Sequence, residues 1–543
     1  METLKQNQKD VIVEALQRNM TGGGLSLPLG FGKTRTSICL GLKHDAGPIL
    51  VVTSKTLGVT WLSEIPKAFG DDFPFEYLHS SSIKNIGMWE PKPETKLVLT
   101  TPEVVSAAYK EYNLEMLFLN YIIPVDFGPT ILEYITPKSP MLLQKHTGPG
   151  FIYSKQWGCL IIDEIQNCNN ILRDKCRAIA CISASYRWGL SATMFDEPKP
   201  ERFLGYFTML NLEGPRTRPD MISHTTNHDF KGLKQHIIHR TNNVEFVVRP
   251  KYTEEIVRHD LTAKEMDIFV ASKDILNTLN TEIKKMKNVE NTEGVRLFNA
   301  YLLAMITYIR QLLICAVIPI TSIYCDIADF SERSKLSVII AEKFDELNIT
   351  HWLNDTKSLM SSRYTEIIKK IDKHPTERII IFSCYRTTLT LLQHLTDEIG
   401  ERKTFTISSS SSIKKREEIV KNFEEFANGI LFLPYSIGAE GLNLQCASVV
   451  MLMDLWWNSA KIQQAIGRVF RPGQKALEIF VYIFVSNTSM ETEIIKKNIS
   501  KKEIIDDLFN GTTDKKIVKI TIAKIVEIIN SEINEDLLTV SRR

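Results

Sequence analysis

The stretch Cys159–Glu164, CLIIDE, joins a continuous apolar run to two acidic residues. Short apolar runs without alternation are typical of parallel strands buried on both faces of a sheet, and functional residues gather where such strands end. The runs Pro48–Ser54 (PILVVTS) and Lys96–Thr101 (KLVLTT) repeat this pattern in the same part of the chain. The first part of the chain is therefore predicted to form an α/β lobe around a parallel sheet.

The pattern changes in the middle of the chain and then returns. From Leu261 to about Lys357 apolar residues recur at helical spacing among many charges, and no strand is evident. Apolar runs follow at Arg378–Ser383, Gly429–Ser436, Ser448–Asp454 and Ile479–Ser486, and a lysine-rich helical tail begins at Lys496. We therefore predict an α/β fold of two parallel-sheet lobes with a helical insertion between them and a helical C-terminal tail. The predicted domains are a first lobe at 1–250, the insertion at 251–357, a second lobe at 358–495 and the tail at 496–543.

Composition excludes several other classes of protein. With 543 residues, a net charge of +2 and 24% charged residues, the chain is typical of a multi-domain globular protein, and any basic surface must be local. Cys168, Cys176 and Cys181 lack the spacing of a zinc site and are predicted to be reduced thiols of an intracellular protein. The most apolar run, Gln311–Cys325, is shorter than the ~20 residues of a membrane helix, so no membrane segment is expected.

Ser26–Thr36, SLPLGFGKTRT, has the form of a phosphate-binding loop. The full pattern asks for a small residue six positions before the lysine, where this chain has Leu27, and a short match of this kind also arises in flexible turns. Together with the acidic pair about 130 residues later, it predicts a nucleotide site. Backbone N–H groups from Gly30, Gly32 and Lys33 would surround the phosphates.

The same pair of motifs assigns roles to individual side chains. Lys33 would reach the β- and γ-phosphate oxygens, and Thr34 would bind Mg²⁺. Asp163 would hold the metal directly or through water, and Glu164 would polarise the attacking water. The expected cofactors are ATP and Mg²⁺.

The motifs, taken in order, resemble a superfamily-two helicase core and, within it, the SWI/SNF-related family of duplex-DNA translocases. The resemblance implies that both lobes are RecA-like, that the lobe at 1–250 binds ATP and that the lobe at 358–495 is the helicase lobe. LKQNQ resembles the segment that reads adenine, which implies that Gln8 contacts the base. VVTSKTLGVTWLSEI, with Trp61 and Glu64 at matching positions, LVLTTPEVV and WGCLIIDEIQ resemble successive motifs of the first lobe. YRWGLSAT resembles the motif that couples ATP hydrolysis to movement on DNA, which implies that Ser191 and Thr193 take part in this coupling.

The second lobe is the more specific half of the resemblance. RIIIFSCY, YSIGAEGLNLQCASVVMLMDLWWN and QQAIGRVFRPGQ resemble its motifs, and Gly441 falls in the glycine-rich coupling motif. In the last string, Ala465, Phe470 and the Gly-Gln pair after the arginine are typical of SWI/SNF-like proteins rather than RNA-directed ones. The chain departs from the family at Leu27, at S-A-T where T-G-T is usual, and at Glu440, which replaces a glycine.

The last motif implies catalytic roles for Gln464, Arg468 and Arg471. Arginine stabilises the charge that develops on a transferred γ-phosphate. Arg468 and Arg471 are three residues apart and are predicted to face the same side of a helix. They could reach ATP only when the two lobes close, so binding would drive closure and hydrolysis would release it.

Duplex DNA is the predicted partner, together with transcription or replication proteins. Polar residues at strand ends suit phosphate contacts, although each one alone could equally cap a helix. The predicted contacts are Ser54, Lys55, Thr100, Thr101, Ser383, Tyr385 and Ser436. Two alternatives remain open: a helicase that separates strands of DNA or RNA, and a non-catalytic subunit that keeps only the motor fold. A compact chain rich in Ile, Asn and Lys would suit a large DNA virus or a mobile element.

Overall fold

The computed structural model describes residues 4–496 except 29, 80–88, 112–150, 169, 171–172, 195–199, 215–234, 241–249, 289–291, 329–333, 354–355, 401, 409, 439–441, 457–458, 472 and 489. The chain forms two compact units, one within residues 1–246 and the other within 247–500. Within these described ranges, no helix combines the length and apolar character needed to cross a membrane.

The first unit is built on a parallel sheet of seven described strands, which are β1 (Gly22–Ser26), β2 (Ile49–Val52), β3 (Phe75–Leu78), β4 (Leu97–Thr100), β5 (Trp157–Asp163), β6 (Ala184–Ser191) and β7 (Ile237–His239). Their order in the sheet is β3-β4-β2-β5-β6-β1-β7. The central strand β5 pairs with β2 and β6; all its residues are buried except the last, Asp163, which is half-buried.

Within the described residues, a helix lies between successive strands except between β3 and β4, as is usual for crossovers between parallel strands. The helices of this unit are α1 (Gln6–Gln17), α2 (Lys33–His44), α3 (Lys55–Phe69), α4 (Pro102–Glu111), α5 (Phe151–Ser154), α6 (Asp174–Ala180) and α7 (Pro200–Met209). Side chains on the two faces of the sheet enter two separate apolar cores. The carboxyl ends of β1, β2 and β5 thus meet along one edge of the sheet.

The second unit contains another parallel sheet, whose described strands are β8 (Lys251–His259), β9 (Ile379–Ser383), β10 (Thr404–Thr406), β11 (Ile430–Pro434), β12 (Val449–Leu452) and β13 (Glu478–Ser486). Their order in the sheet is β10-β11-β9-β12-β13-β8. The helices of this unit outside the insertion are α13 (Ser362–Asp372), α14 (Arg386–Ile399), α15 (Ile413–Glu425), α16 (Tyr435–Gly438) and α17 (Ser459–Ile466). The predicted α/β class with two parallel-sheet lobes is therefore confirmed.

Helices also fill the region between β8 and β9. They are α8 (Ala263–Asn288), α9 (Thr292–Leu312), α10 (Val317–Ala328), α11 (Ser334–Asp345) and α12 (Ile349–Leu353). The apolar faces of α8 and α9 bury residues such as Ile268, Leu276 and Ile309 in the same core as the second sheet. The predicted tail beyond Lys496 lies outside the described residues.

Strand β8 was not expected in the region assigned to the insertion. It pairs along its whole length with β13 and forms an edge of the second sheet. Most of its side chains are exposed, including Tyr252 and Ile256. An edge strand of this kind carries no continuous apolar run, so its sequence, KYTEEIVRH, gives little strand signal.

Candidate functional site

The predicted phosphate-binding loop connects β1 to α2. Gly30 and Gly32 have φ angles of 78° and 87°, a left-handed conformation that favours glycine. Gly32 is the N-cap of α2, so the first amides of that helix follow it directly. Amides at a helix N-terminus have no partner within the helix and carry the positive end of its dipole, which suits the binding of a phosphate.

Gln8 of α1 lies against this loop. Its Nε2 donates to Phe31 O at 2.8 Å, and its Oε1 accepts from Lys5 N at 3.0 Å. A Cβ atom placed on Gly32 would lie 2.2 Å from Gln8 Nε2, so glycine is needed for this close approach. The predicted base-reading residue is therefore placed at the nucleotide loop, where its amide supports the loop backbone.

Lys33 is the first residue of α2, and Thr34 follows it. The Lys33 ammonium donates to the carbonyl oxygens of Leu27 and Pro28, at 3.3 and 3.4 Å, at the start of the loop. Leu27, the departure from the usual pattern, is fully buried in the core, and its N–H donates to Ser191 O at 3.0 Å. A large residue at this position is thus accommodated inside the sheet without blocking the loop.

Asp163 ends β5 and receives hydrogen bonds on both carboxylate oxygens. Oδ2 accepts from Trp61 Nε1 at 2.8 Å and from Thr53 Oγ1 at 3.0 Å, and Oδ1 accepts from Glu164 N at 3.0 Å. Burial and the neighbouring Glu164 charge raise the pKa of Asp163 to about 6, against the opposing effects of Trp61, Lys33 and Thr53. A divalent cation at this carboxylate would favour its ionised form.

Glu164 follows Asp163 and adopts a left-handed conformation, with φ 47° and ψ 53°. Such a conformation is uncommon outside glycine and asparagine and is found often at functional sites. Gln166 Nε2 donates to Glu164 Oε2, while Gln166 Oε1 is buried and has no hydrogen-bond partner within the described residues. The side chain of Gln166 therefore fixes the carboxylate that is predicted to polarise water.

Ser191 and Thr193, the predicted coupling pair, lie beside the phosphate loop. Ser191 ends β6, pairs in register with Ser26 of β1, and accepts from Thr193 N at 2.8 Å through its hydroxyl. Because Ser191 O also holds Leu27 N, the coupling motif and the loop share one backbone contact. Gly441, the third predicted coupling residue, lies outside the described residues.

The predicted nucleic-acid contacts divide into exposed and buried residues. Ser54, Lys55 and Ser436 are exposed at the ends of β2 and β11, and Ser54 also caps α3 by accepting from Leu57 N. Tyr385 is half-buried after β9, with the Arg310 guanidinium 5.5 Å from its ring centroid.

The other three hydroxyls differ from the prediction because they point into the fold. Thr100 Oγ1 donates to Leu78 O at 3.1 Å, and the buried Thr101 Oγ1 accepts from Val104 N at the start of α4. Ser383 is fully buried, and its hydroxyl donates to Asp454. A strand-end position alone did not reveal these internal partners, so all three are left out of the proposed contacts.

The arginines of the last motif do not lie on a helix, which corrects the prediction. Helix α17 ends at Ile466, and both arginines follow in a turn. Arg468 is buried and donates from Nε to Gly438 O at 3.1 Å, while Arg471 is half-buried. Gln464 is buried within α17. Arg468 therefore supports the glycine-rich segment after β11.

Three side chains of the first unit were not assigned a role from the sequence. Thr53 and Trp61 hold Asp163, and Gln166 holds Glu164. Their donors lie inside motifs that the sequence had singled out, but a contact between residues 102 or 110 positions apart has no local signature.

The arrangement fits a nucleotide with its metal. A backbone cradle, a lysine at the loop, a threonine hydroxyl and a carboxylate with a remaining oxygen lone pair are the donors that phosphate and Mg²⁺ prefer. Gly30, Gly32, Lys33 and Thr34 would hold the phosphates, and Thr34 and Asp163 the metal. Within the described residues, no group of three or more histidine, cysteine, aspartate and glutamate side chains could hold a metal ion.

Comparisons with known proteins agree with this description. Residues 362–473 match the helicase conserved C-terminal domain. Protein 172L of Invertebrate iridescent virus 6, which is named as a helicase, is 26% identical over 90% of this chain and 85% of its own length. The DNA repair and recombination protein RAD54 of Saccharomyces cerevisiae is 30% identical over 30% of this chain and 18% of its own length.

A solved structure also aligns with most of the chain. It is the Sulfolobus solfataricus SWI2/SNF2 ATPase core in complex with dsDNA, which is 17% identical over 94% of this chain and 93% of that one, with a TM-score of 0.36. The sequence matches confirm the resemblance predicted from the motifs. The chain is thus similar in sequence to a viral helicase over most of its length and to RAD54 over a shorter stretch, and residues 362–473 match a helicase C-terminal domain.

Proposed function

We propose that the protein hydrolyses ATP with Mg²⁺ in order to move along duplex DNA without separating its strands. The observation that carries this proposal is the juxtaposition of Asp163 and Glu164 with the phosphate loop in one unit, in a chain that also contains a helicase C-terminal domain. Mg²⁺ would supply a Lewis acid that neutralises phosphate charge. Residues of the chain supply the rest of the chemistry.

Each residue of the first unit has a defined task in this proposal. Loop amides and Lys33 bind and orient the phosphates, which removes much of the entropic barrier to reaction. Glu164, held by Gln166, accepts the proton of the attacking water. The proposal also includes Arg468 and Arg471, whose predicted role is to stabilise the charge on the γ-phosphate.

Two features favour duplex DNA as the partner. The last motif, QQAIGRVFRPGQ, has the residues typical of SWI/SNF-like proteins, and relatives such as RAD54 are named for DNA repair and recombination. Lys55, Ser54 and Ser436 are exposed donors suited to phosphate oxygens, and contacts of this kind position a protein without reading sequence. Binding should therefore weaken steeply with salt and depend little on sequence.

The test is the ATPase rate measured with no nucleic acid, duplex DNA, single-stranded DNA and RNA. Duplex DNA should give the largest stimulation. Lys33→Ala should abolish nucleotide binding or hydrolysis, whereas Glu164→Gln should bind ATP and fail to hydrolyse it. Stimulation by RNA alone would favour an RNA helicase, and no hydrolysis under any condition would favour a regulatory subunit.

A further inference from the structure

Asp163 is held by two side chains that come from the neighbouring strand and the helix that follows it. Thr53 lies directly after β2, and β2 pairs with β5 so that Val52 is opposite Ile162. This register places Thr53 beside Asp163. Trp61 lies two turns into α3, and its indole N–H reaches the same carboxylate.

The two donors share one oxygen of the carboxylate. Trp61 Nε1 at 2.8 Å and Thr53 Oγ1 at 3.0 Å both donate to Oδ2, whereas in the part of the chain that the structure describes Oδ1 accepts only from Glu164 N, at 3.0 Å. An ionised carboxylate offers about four lone pairs. Three of these lone pairs accept the hydrogen bonds described, two on Oδ2 and one on Oδ1, so the remaining lone pair lies on Oδ1. The hydrogen bonds also fix the rotation of the carboxylate about its bond to Cβ.

We propose that Trp61 and Thr53 are positioning residues that orient Asp163 so that Oδ1 is presented to Mg²⁺. Both side chains are almost completely buried, so water does not compete for their hydrogen bonds. Groups that orient a metal ligand in this way typically change metal affinity by about 10- to 100-fold when they are removed. The inference rests on the proposed function, because Asp163 acts as a metal ligand only in a nucleotide site.

A packing role for Trp61 is the competing explanation, and the chain offers a matched control for it. Trp188 is fully buried in the same apolar core as Trp61, and its Nε1 has no hydrogen-bond partner within the described residues. Trp188→Phe therefore removes the same volume as Trp61→Phe without removing a hydrogen bond. Thr53→Val removes the hydroxyl at nearly constant shape, and Thr53→Ser keeps it.

The experiment measures binding of a fluorescent ADP analogue in Mg²⁺ and again in EDTA, and the ratio of the two affinities reports the gain from the metal. Trp61→Phe and Thr53→Val should each lower this gain about 10-fold while affinity in EDTA stays unchanged. Trp188→Phe and Thr53→Ser should keep the gain close to that of the wild type.

Three results would overturn the proposal in distinguishable ways. If Trp61→Phe gained as much affinity from Mg²⁺ as the wild type does, Trp61 would not be a positioning residue. An equal loss in Trp61→Phe and Trp188→Phe would assign the effect to packing. A wild-type protein that binds the analogue with no gain from Mg²⁺ would overturn the proposed function together with this inference.

Discussion

Replacing Glu491 by glutamine tests how the second unit is held together. Arg363 is fully buried, Glu491 is 7% exposed, and Arg363 Nη2 donates to Glu491 Oε2. The other arms of the guanidinium bond Met453 O at 2.9 Å and His259 Nε2 at 3.1 Å. Burial alone would raise the pKa of Glu491, but Arg363 and Ser486 outweigh burial and lower it. Both groups of the pair are therefore charged.

Glu491→Gln leaves the Arg363 cation buried without a counter-charge. Breaking a buried ion pair from one side costs about 3–5 kcal/mol. At about 1.36 kcal/mol for each factor of ten, this cost corresponds to a change of roughly 150- to 5,000-fold in the opening equilibrium. Arg363 contacts β8 through His259 and the segment after β12 through Met453. The loss should therefore destabilise the sheet of the second unit.

Hydrogen–deuterium exchange of the full chain measures this effect directly, because amides in a sheet exchange when the unit opens. In Glu491→Gln, peptides from β13 should exchange faster by roughly 150- to 5,000-fold, while the exchange of peptides from β5 of the first unit should not change. Glu346→Gln, which breaks an exposed ion pair with Lys343, is the matched control and should have no effect. Unchanged exchange of β13 would show that the Arg363–Glu491 pair does not hold the sheet together.

Three further predictions concern the nucleotide loop, pH and turnover. Gly32→Ala should weaken binding of a fluorescent ATP analogue because the added Cβ would lie 2.2 Å from Gln8 Nε2. Gly70→Ala is the control and should not weaken binding, because Gly70 has a similar positive φ but open space around it. Equal affinities in the two variants would contradict this prediction. Burial, with the neighbouring Arg363 charge, lowers the pKa of His259 to about 4 from 6.5, so about 3 kcal/mol of stability present above pH 6.5 should be lost as the pH falls towards 4. The midpoint of urea unfolding should be higher at pH 7 than at pH 5 in the wild type, and the two midpoints should converge in His259→Gln. Equal midpoints in the wild type would contradict the lowered pKa of His259. Arg471→Ala should bind ATP normally and hydrolyse it slowly, with poor rescue by lysine; a normal DNA-stimulated kcat would exclude its role.

The strands that the sequence predicted are those with continuous apolar runs, such as β2, β5 and β9. Strand β1, GGGLS, was missed because glycine carries no apolar signal, yet it lies between β6 and β7. A Cβ on Gly22 or Gly23 would lie 2.6 or 2.3 Å from a backbone oxygen of the adjoining chain. Close packing therefore requires these glycines, and a requirement of this kind is visible only in three dimensions.

The candidate site was predictable where order along the chain carries the information. The positions of Lys33, Asp163 and Glu164 follow from two motifs in sequence. The direction in which a strand-end side chain points cannot be read from a motif. For this reason Thr100 and Ser383 were predicted to contact phosphate, although their hydroxyls form hydrogen bonds inside the fold. Periodicity likewise did not show that α17 ends before Arg468.

Movement along duplex DNA without strand separation can be tested with a pair of displacement assays. One substrate carries a labelled third strand bound in the major groove of a duplex, and the other a labelled strand paired within a forked duplex. We expect ATP-dependent release of the third strand but not of the paired strand in the fork, and no release of either strand by Glu164→Gln. Release of the paired strand would contradict it and identify an unwinding helicase, and retention of the third strand despite DNA-stimulated hydrolysis would exclude translocation.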